Sequence, residues 1–78
     1  MSTEQKIHDF IAEELLNKPD STIGFDEDLL MTGLVDSLGV MRLVAFVSET
    51  AGKDVPPLDV TLENFGTINQ IGSYLSKI

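Results

Sequence analysis

The chain contains no cysteine, and this absence excludes three kinds of chemistry together. A protein without thiols forms no disulfide bond, binds no metal through thiolates and has no cysteine nucleophile. The absence also fits a reducing compartment, so we expect a cytoplasmic protein. The N-terminal residues lack the basic and apolar regions of a secretory signal peptide, which agrees with that location.

Basic residues and long apolar runs are also scarce. Five lysines and arginines stand against thirteen aspartates and glutamates, which gives a formal net charge of -8 at pH 7. Such a charge repels phosphate backbones and anionic lipid heads, so we expect neither nucleic acid nor a membrane as a partner. No apolar run approaches the roughly 20 residues that cross a bilayer. The acidity indicates either basic protein partners or only a need for solubility.

The sequence motifs of ordinary enzymes are missing as well. The residues around Ser37 lack the first glycine of the G-x-S-x-G turn, and the single histidine, His8, is one candidate base without a partner. We expect His8 to be an exposed or half-buried helix residue. No glycine-rich phosphate loop occurs. The acidic residues 26–28 do not begin a calcium loop, because leucine and serine occupy two later ligand positions and methionine occupies the glycine position. We interpret these acids as a solvated cluster and predict a protein that is not an enzyme and has no metal site.

Amphipathic helices are predicted at both ends of the chain. The first begins at Ser2, which has the capping-box spacing to Gln5, and ends at Lys18 and Pro19. The last begins at Thr67, with a glutamine at the same spacing. In both segments apolar residues recur at helical steps. They are Ile7, Phe10, Ile11 and Leu15 in the first segment and Ile68, Ile71, Leu75 and Ile78 in the last.

A third long helix is predicted in the middle of the chain, from Asp36 or Ser37 to a C-terminal glycine at Gly52. Its valines also permit a strand, but the run lacks strict alternation and is long for a strand. Residues 61–65 predict one short helical turn. Residues 20–36 predict a long loop that packs over the helices, with a helical turn near its middle. The 78 residues are sufficient for one small domain, residues 1–78. We predict an all-α, small four-helix bundle with three longer helices, a short third helix and a long loop between helices 1 and 2.

Ser37 has two interpretations. An Asp-Ser pair before an apolar run is an ordinary helix start, in which the serine only caps the helix. A serine presented after a loop is also accessible to a modifying enzyme. Free backbone N–H groups and the positive end of the helix dipole would stabilise a phosphodiester at that position. The dipeptide by itself favours the cap.

Residues 33–38, GLVDSL, resemble the attachment motif of the carrier-protein family, which includes acyl carrier proteins and the peptidyl carriers of nonribosomal synthesis. Val55 and Pro56 resemble the usual break after the second helix of that family. Residues 65–68, FGTI, resemble the passage from its short third helix to its fourth. The resemblance covers nearly the whole chain, including the order of the helices and the position of the serine.

The resemblance implies that Ser37 carries a 4′-phosphopantetheine arm, which a phosphopantetheinyl transferase adds from coenzyme A. Asp36 and Leu38 would complete the attachment motif. The thiol of the arm would hold acyl, aminoacyl or peptidyl groups as thioesters. The implied partners are an adenylating or other acyl- or aminoacyl-loading ligase, acyltransferases, synthases and thioesterases.

The same resemblance implies a discrete, monomeric carrier that catalyses nothing, in fatty-acid-like, polyketide or nonribosomal peptide biosynthesis. The alternative is a non-catalytic helical interaction module in which Ser37 is only a helix cap. The string SLGVMRLV, residues 37–44, is more similar to peptidyl carriers. The aspartate before the serine is more typical of acyl carriers, and fatty-acid carriers commonly have an acid where this chain has Gly39. We therefore expect a specialised pathway.

The resemblance also directs attention to the surface of the second helix. We predict that Leu38, Met41 and Arg42 contact partner enzymes, and we add Val55 beside the following break. The alternative for Leu38 and Met41 is that they pack in the core. Because the acids lie mainly in the first loop and between Asp54 and Glu63, electrostatic attraction of basic partners is expected to arise there.

Overall fold

Four helices make up the fold, which the computed structural model describes for residues 2–18 and 23–78. Helix α1 spans Thr3–Phe10, α2 spans Ser37–Ala51, α3 spans Leu62–Phe65 and α4 spans Ile68–Lys77. No strand occurs in the described residues. The predicted all-α architecture, with three longer helices and a short third one, is confirmed. Within the same residues no helix has the length and apolar character that crossing a membrane requires.

Helix α1 begins where the sequence predicts, but with half of the predicted capping box. The Ser2 hydroxyl oxygen accepts a hydrogen bond from the Gln5 N–H at 3.0 Å. The Gln5 side chain does not reach back to Ser2. Its amide instead donates to the Asp9 carboxylate at 2.9 Å. One side-chain bond is therefore sufficient to begin this helix.

After Phe10 the α-helical geometry changes to π-helical geometry before the helix ends. The next residues, Ile11–Leu15, form a π-helical turn in which the Leu16 N–H donates to the Ile11 carbonyl, five residues back, at 2.9 Å. Asn17 then adopts a left-handed conformation with φ 54°, which asparagine tolerates better than most residues. The helix therefore ends earlier than predicted. Pro19, the predicted terminator, lies outside the described residues.

Local rules account for the other helix ends. Gly52 has φ 74°, and hydrogen bonds from Gly52 and Lys53 to the carbonyls of Ser48 and Glu49 close α2. This is the left-handed glycine end that the sequence predicts, and it confirms a helix rather than a strand. Thr67 caps α4 by accepting from the Gln70 N–H at 3.1 Å. A short 3₁₀ turn at Pro57–Asp59 was not predicted.

The long loop packs over the helices, as its apolar residues predict. The backbone N–H of Leu29 donates to the Gly66 carbonyl at 2.8 Å, which ties the loop to the residue after α3. Near Leu29 the chain makes one turn, closed by the Gly33 N–H and the Leu30 carbonyl at 3.2 Å, and it does not continue as a helix. The loop is thereby held as a folded part of the structure.

Two of the loop acids have structural roles, so their interpretation as a solvated cluster is incomplete. The Asp28 carboxylate accepts from the backbone N–H groups of Leu30 and Met31, at 3.1 and 2.8 Å. The Asp26 carboxylate accepts from the side-chain amide of Asn69 in α4 at 2.6 Å. These bonds close the turn and join the loop to α4.

A single apolar core receives side chains from every helix and from the loop. Helices α1 and α2 are also joined by the stacked rings of Phe10 and Phe46, whose centroids lie 4.3 Å apart. The buried apolar residues are Ile7, Ile11, Ala12, Ile23, Leu29, Val35, Leu43, Val47, Val55, Phe65, Ile68, Ile71 and Tyr74. The core is thus shared between the helices and the loop that leads to Ser37.

Tyr74 ties the segment between α2 and α3 to α4. Its hydroxyl donates to the Asp59 carboxylate at 2.7 Å, and its buried ring lies 5.6 Å from that of Phe65. The side-chain amide of Asn64 donates to the Asp59 carbonyl at 2.9 Å. The hydrogen bond to Asp59, together with burial and the charge of that carboxylate, raises the pKa of Tyr74 to about 12.

We predict that Tyr74→Phe lowers stability below about pH 10 and that the difference from the parent disappears at higher pH. The unfolded tyrosine ionises near pH 10 and the folded one near pH 12, so the bond stabilises fully below the first value and is lost through the second. Urea unfolding midpoints at several pH values between 8 and about 11.5 measure this. A difference between parent and variant that stays constant over this range would contradict the assignment.

Candidate functional site

Asp36, not Ser37, caps α2. Asp36 has an extended backbone, and its carboxylate accepts a hydrogen bond from the Gly39 N–H at 2.7 Å. Its carbonyl accepts from the Val40 N–H at 2.8 Å. Ser37 is therefore the first residue of the helix, and the interpretation of Ser37 as the cap is wrong. Both residue types cap helices well, so the Asp-Ser pair alone did not decide between them.

The Ser37 side chain is exposed at the start of the 15-residue helix α2. Its hydroxyl has no hydrogen bond to any of the residues that the structure describes. The positive end of the helix dipole lies at this end of α2 and stabilises negative charge placed there. The structure therefore offers an accessible hydroxyl whose modification would disturb no contact within the described part of the fold. This arrangement fits covalent attachment of a phosphodiester-linked group.

Two of the predicted partner residues project into solvent. Leu38 is 67% exposed and Met41 is 69% exposed, so the alternative that they pack in the core is wrong. Residues three apart lie on the same helix face, and Ala45, four residues further, is also exposed. An apolar strip consisting of Leu38, Met41 and Ala45 thus follows Ser37 along α2. We call it the α2 apolar strip.

Arg42 is bound within the fold. Its guanidinium donates to the Glu14 carbonyl at 2.9 Å and lies 3.4 Å from the Glu14 carboxylate. Both side chains remain about half exposed, so the ion pair itself adds little stability. The bond to the carbonyl satisfies an acceptor near the end of the first helix and connects it to α2. The cation that was predicted to meet partners therefore has an internal partner already.

Val55 does not belong to the surface. It is 8% exposed and forms part of the core, and its N–H donates to the Ser48 hydroxyl at 3.1 Å. Its predicted contact with partners is wrong, because a buried side chain presents no apolar area to another protein. The large apolar residues that sequence analysis left out and that are exposed are Met31, Leu58 and Leu62.

His8 has a structural position in α1, as predicted. One ring nitrogen accepts from the Ile23 N–H at 3.3 Å, and the other lies 3.1 Å from the Asp9 carboxylate. The hydrogen bonds from His8 and then from Gln5 lower the pKa of Asp9 below its usual value. These contacts anchor the loop to α1 and involve no residue of the attachment motif. Across residues 2–18 and 23–78 no group of three potential metal ligands is close together.

Replacing Asp36 and Ser37 one at a time distinguishes the residue that caps α2 from the residue that we expect to be modified. We predict that Asp36→Ala lowers the free energy of unfolding by about 1 kcal/mol, because α2 loses its capping acceptor. Ser37→Ala is expected to change it by less than about 0.5 kcal/mol, because its hydroxyl supports no bond in the described fold. Urea unfolding at pH 7 measures both. A larger loss of unfolding free energy for Ser37→Ala than for Asp36→Ala would show that Ser37 caps the helix.

Comparison with known protein families identifies the family of the chain. Residues 6–75 match the family described as "Phosphopantetheine attachment site". Comparison with curated proteins and with solved structures gives no match. The matched region includes α2, most of α1 and α4, and the loop that leads to Ser37. The chain therefore belongs to the phosphopantetheine-attachment-site family, whose members carry covalently attached 4′-phosphopantetheine.

Proposed function

We propose that this protein is a carrier that holds acyl, aminoacyl or peptidyl groups as thioesters on a 4′-phosphopantetheine arm attached to Ser37. The observation that carries the proposal is the free, exposed hydroxyl of Ser37 at the start of α2, next to a residue that already caps the helix. Membership of the phosphopantetheine-attachment-site family supports the same function.

The attachment uses the Ser37 oxygen as the nucleophile. It forms a bond to the phosphorus that bears pantetheine in coenzyme A, the pyrophosphate P–O bond breaks, and adenosine 3′,5′-bisphosphate leaves. The serine proton passes to a base of the phosphopantetheinyl transferase. Asp36 keeps the first turn of α2 formed during this step by holding the Gly39 N–H. The attached arm supplies a thiol, which this cysteine-free chain lacks.

The α2 apolar strip is the surface that we assign to partner enzymes. Leu38 and Met41 lie on the helix that begins with Ser37, and apolar side chains grouped on an exposed surface mark sites of protein interaction. Leu38 also completes the attachment motif. Arg42 contributes by holding α2 against the end of the first helix. We do not include Val55, because it is buried.

The carrier itself performs no catalysis in this proposal, and the partners load, modify and release the cargo. These partners are a phosphopantetheinyl transferase, a loading ligase or adenylating enzyme, acyltransferases, synthases and a thioesterase. The pathway is specialised rather than general fatty-acid synthesis, and the protein acts as a monomer in the cytoplasm. Gly39 and the absence of acids from the first turns of α2 support the specialised pathway, since fatty-acid carriers commonly have acids there.

The competing function is a helical interaction module with Ser37 as a cap. It loses its specific support because Asp36 makes the capping bond. A serine hydrolase with Ser37 as its nucleophile has even less support. The one histidine bonds to Ile23 and Asp9 rather than to the serine.

The direct test is an intact mass after incubation with coenzyme A and a broad-specificity phosphopantetheinyl transferase. We predict that the parent gains the mass of one phosphopantetheine group and that Ser37→Ala gains nothing. Ser73→Ala, which removes an exposed serine from α4, is the matched control and should gain one group. If the parent stays unmodified while the transferase modifies another carrier, the proposal is contradicted.

A second test addresses the α2 apolar strip. We predict that Leu38→Ser and Met41→Ser each raise the KM of the transferase for the carrier about tenfold, since loss of an apolar interface contact costs about 1.4 kcal/mol. Their melting temperatures should stay near that of the parent, because both side chains are exposed. Leu58→Ser, at an exposed leucine outside α2, is the control. An equal effect of all three variants would show that general surface hydrophobicity is being measured instead.

A further inference from the structure

A second apolar surface lies between the first helix and α2, away from Ser37. Its centre is the stacked pair of Phe10 and Phe46, whose side chains are only half-buried, so part of each ring faces solvent. Two open grooves, of about 520 and about 230 Å³, adjoin this pair, and both rings line each of them. We call the two grooves together the aromatic groove. It is an apolar depression that the described part of the fold leaves open.

The aromatic groove runs along the C-terminal part of α2. Its lining residues on this helix extend from Arg42 to Thr50, which is a length of about 12 Å at about 1.5 Å per residue. Two turns of a partner helix have about the same length. Phe46 lies nine residues after Ser37, or about 14 Å along the helix axis. A segment bound in the groove would therefore leave the Ser37 hydroxyl accessible.

Acids predominate among the charged residues that line the aromatic groove. These residues are four acids and two bases: Lys6, Asp9, Glu13, Glu14, Arg42 and Glu49. The guanidinium of Arg42 is already paired with the Glu14 carboxylate at 3.4 Å. Lys6 and Asp9 have opposite formal charges, which cancel. Four negative charges against two positive ones give the groove a formal charge of -2.

The remaining charge of the groove belongs to Glu13 and Glu49. Both side chains are exposed, and neither forms a hydrogen bond or an ion pair with another residue that the structure describes. Glu13 lies at the end of the first helix and Glu49 on α2, so each helix that forms the groove contributes a free carboxylate. A lysine or arginine placed there can pair with a carboxylate and lie against an aromatic ring.

The charge of the groove determines which occupant fits it. A second copy of this chain has a net charge of -8 and would be repelled. A nucleic acid or an anionic lipid surface would be repelled for the same reason. A protein segment that carries lysines or arginines beside an apolar side chain is attracted instead. An amphipathic helix presents such residues together and is a common occupant of apolar grooves.

We propose that the aromatic groove is a docking site for a basic amphipathic helix of a partner protein. An apolar side chain of that helix covers the rings of Phe10 and Phe46, and its lysines or arginines pair with Glu13 and Glu49. The groove meets the α2 apolar strip at Ala45, which belongs to both, so one partner can occupy the two surfaces together. The proposal goes beyond the proposed function, because binding here requires no attached phosphopantetheine.

The test uses the unmodified protein and a fluorescent synthetic peptide of leucine and lysine, about 15 residues long and patterned as an amphipathic helix. Fluorescence anisotropy measures its affinity. We expect the parent to bind it and Glu13→Gln/Glu49→Gln to bind it about five- to tenfold more weakly, since an exposed ion pair contributes up to about a factor of five. The matched control is Asp54→Asn/Glu63→Gln, which removes two exposed acids outside the groove. Its affinity should fall less than about threefold.

Two further measurements locate the peptide and identify what it recognises. The largest changes in amide NMR shift are expected at Phe10, Phe46 and their neighbours in the groove. Leu38→Ser removes an exposed part of the α2 apolar strip outside the groove and should keep the parental affinity within about twofold. A peptide with glutamate in place of every lysine should bind at least about tenfold more weakly than the lysine peptide, because the groove would then meet like charge.

The proposal is wrong if the lysine peptide does not bind the parent or if the shift changes lie outside the groove. Equal losses of affinity in the two double variants would also overturn it, because the peptide would then respond to net charge alone. Equal binding of the glutamate peptide would overturn the predicted preference for a basic partner. The intact-mass assay tests the proposed function separately. A parent that binds the lysine peptide in the groove but accepts no phosphopantetheine contradicts that function and supports the docking site.

Discussion

The position of Ser37 depends on Leu29 in the middle of the long loop. Its side chain is completely buried, its N–H donates to the Gly66 carbonyl at 2.8 Å, and its own carbonyl accepts from the Val35 N–H at 2.9 Å. One residue therefore joins the segment after α3 to the residue just before Asp36. Burying an apolar side chain of this size contributes roughly 1.5–3 kcal/mol, which is enough to hold the loop in one arrangement. The start of α2 is fixed as a consequence.

The adjacent residues Asp36 and Ser37 have different roles at the start of α2. Asp36 satisfies an unpaired N–H group of the first turn, and Ser37 is left with a hydroxyl that the described fold does not use. A serine that served as the cap would lose its capping bond on modification, and the helix would be weakened at the moment the arm was attached. With the cap on Asp36, attachment at Ser37 leaves the capping bond in place.

Local signals in the sequence predicted the helices better than the site. Ser2 and Thr67 bond to residues three positions on, and Gly52 closes α2 by its own backbone, so a short stretch of sequence contains all the information. Val55 is buried by packing between distant segments, and Arg42 bonds to Glu14, 28 residues away. Neither contact leaves a periodic or spaced pattern. Sequence analysis therefore predicted the helix order, and it misjudged residues whose positions depend on the assembled fold.

Most of the charged residues and the α2 apolar strip lie on different parts of the molecule. Helix α2 contains one acid and one base, Glu49 and Arg42, and the base is already paired with Glu14. The net charge of -8 therefore arises outside the helix that carries Ser37. Charges of this kind act over about 10 Å at ordinary salt and raise the rate of encounter with a basic partner. In the proposed function, the α2 apolar strip contributes to binding only at contact, when water is excluded from it. Under the proposed function, an apolar contact surface within an acidic molecule would let several basic partners reach the same serine without a matching pattern of charges on α2, as a shared carrier requires.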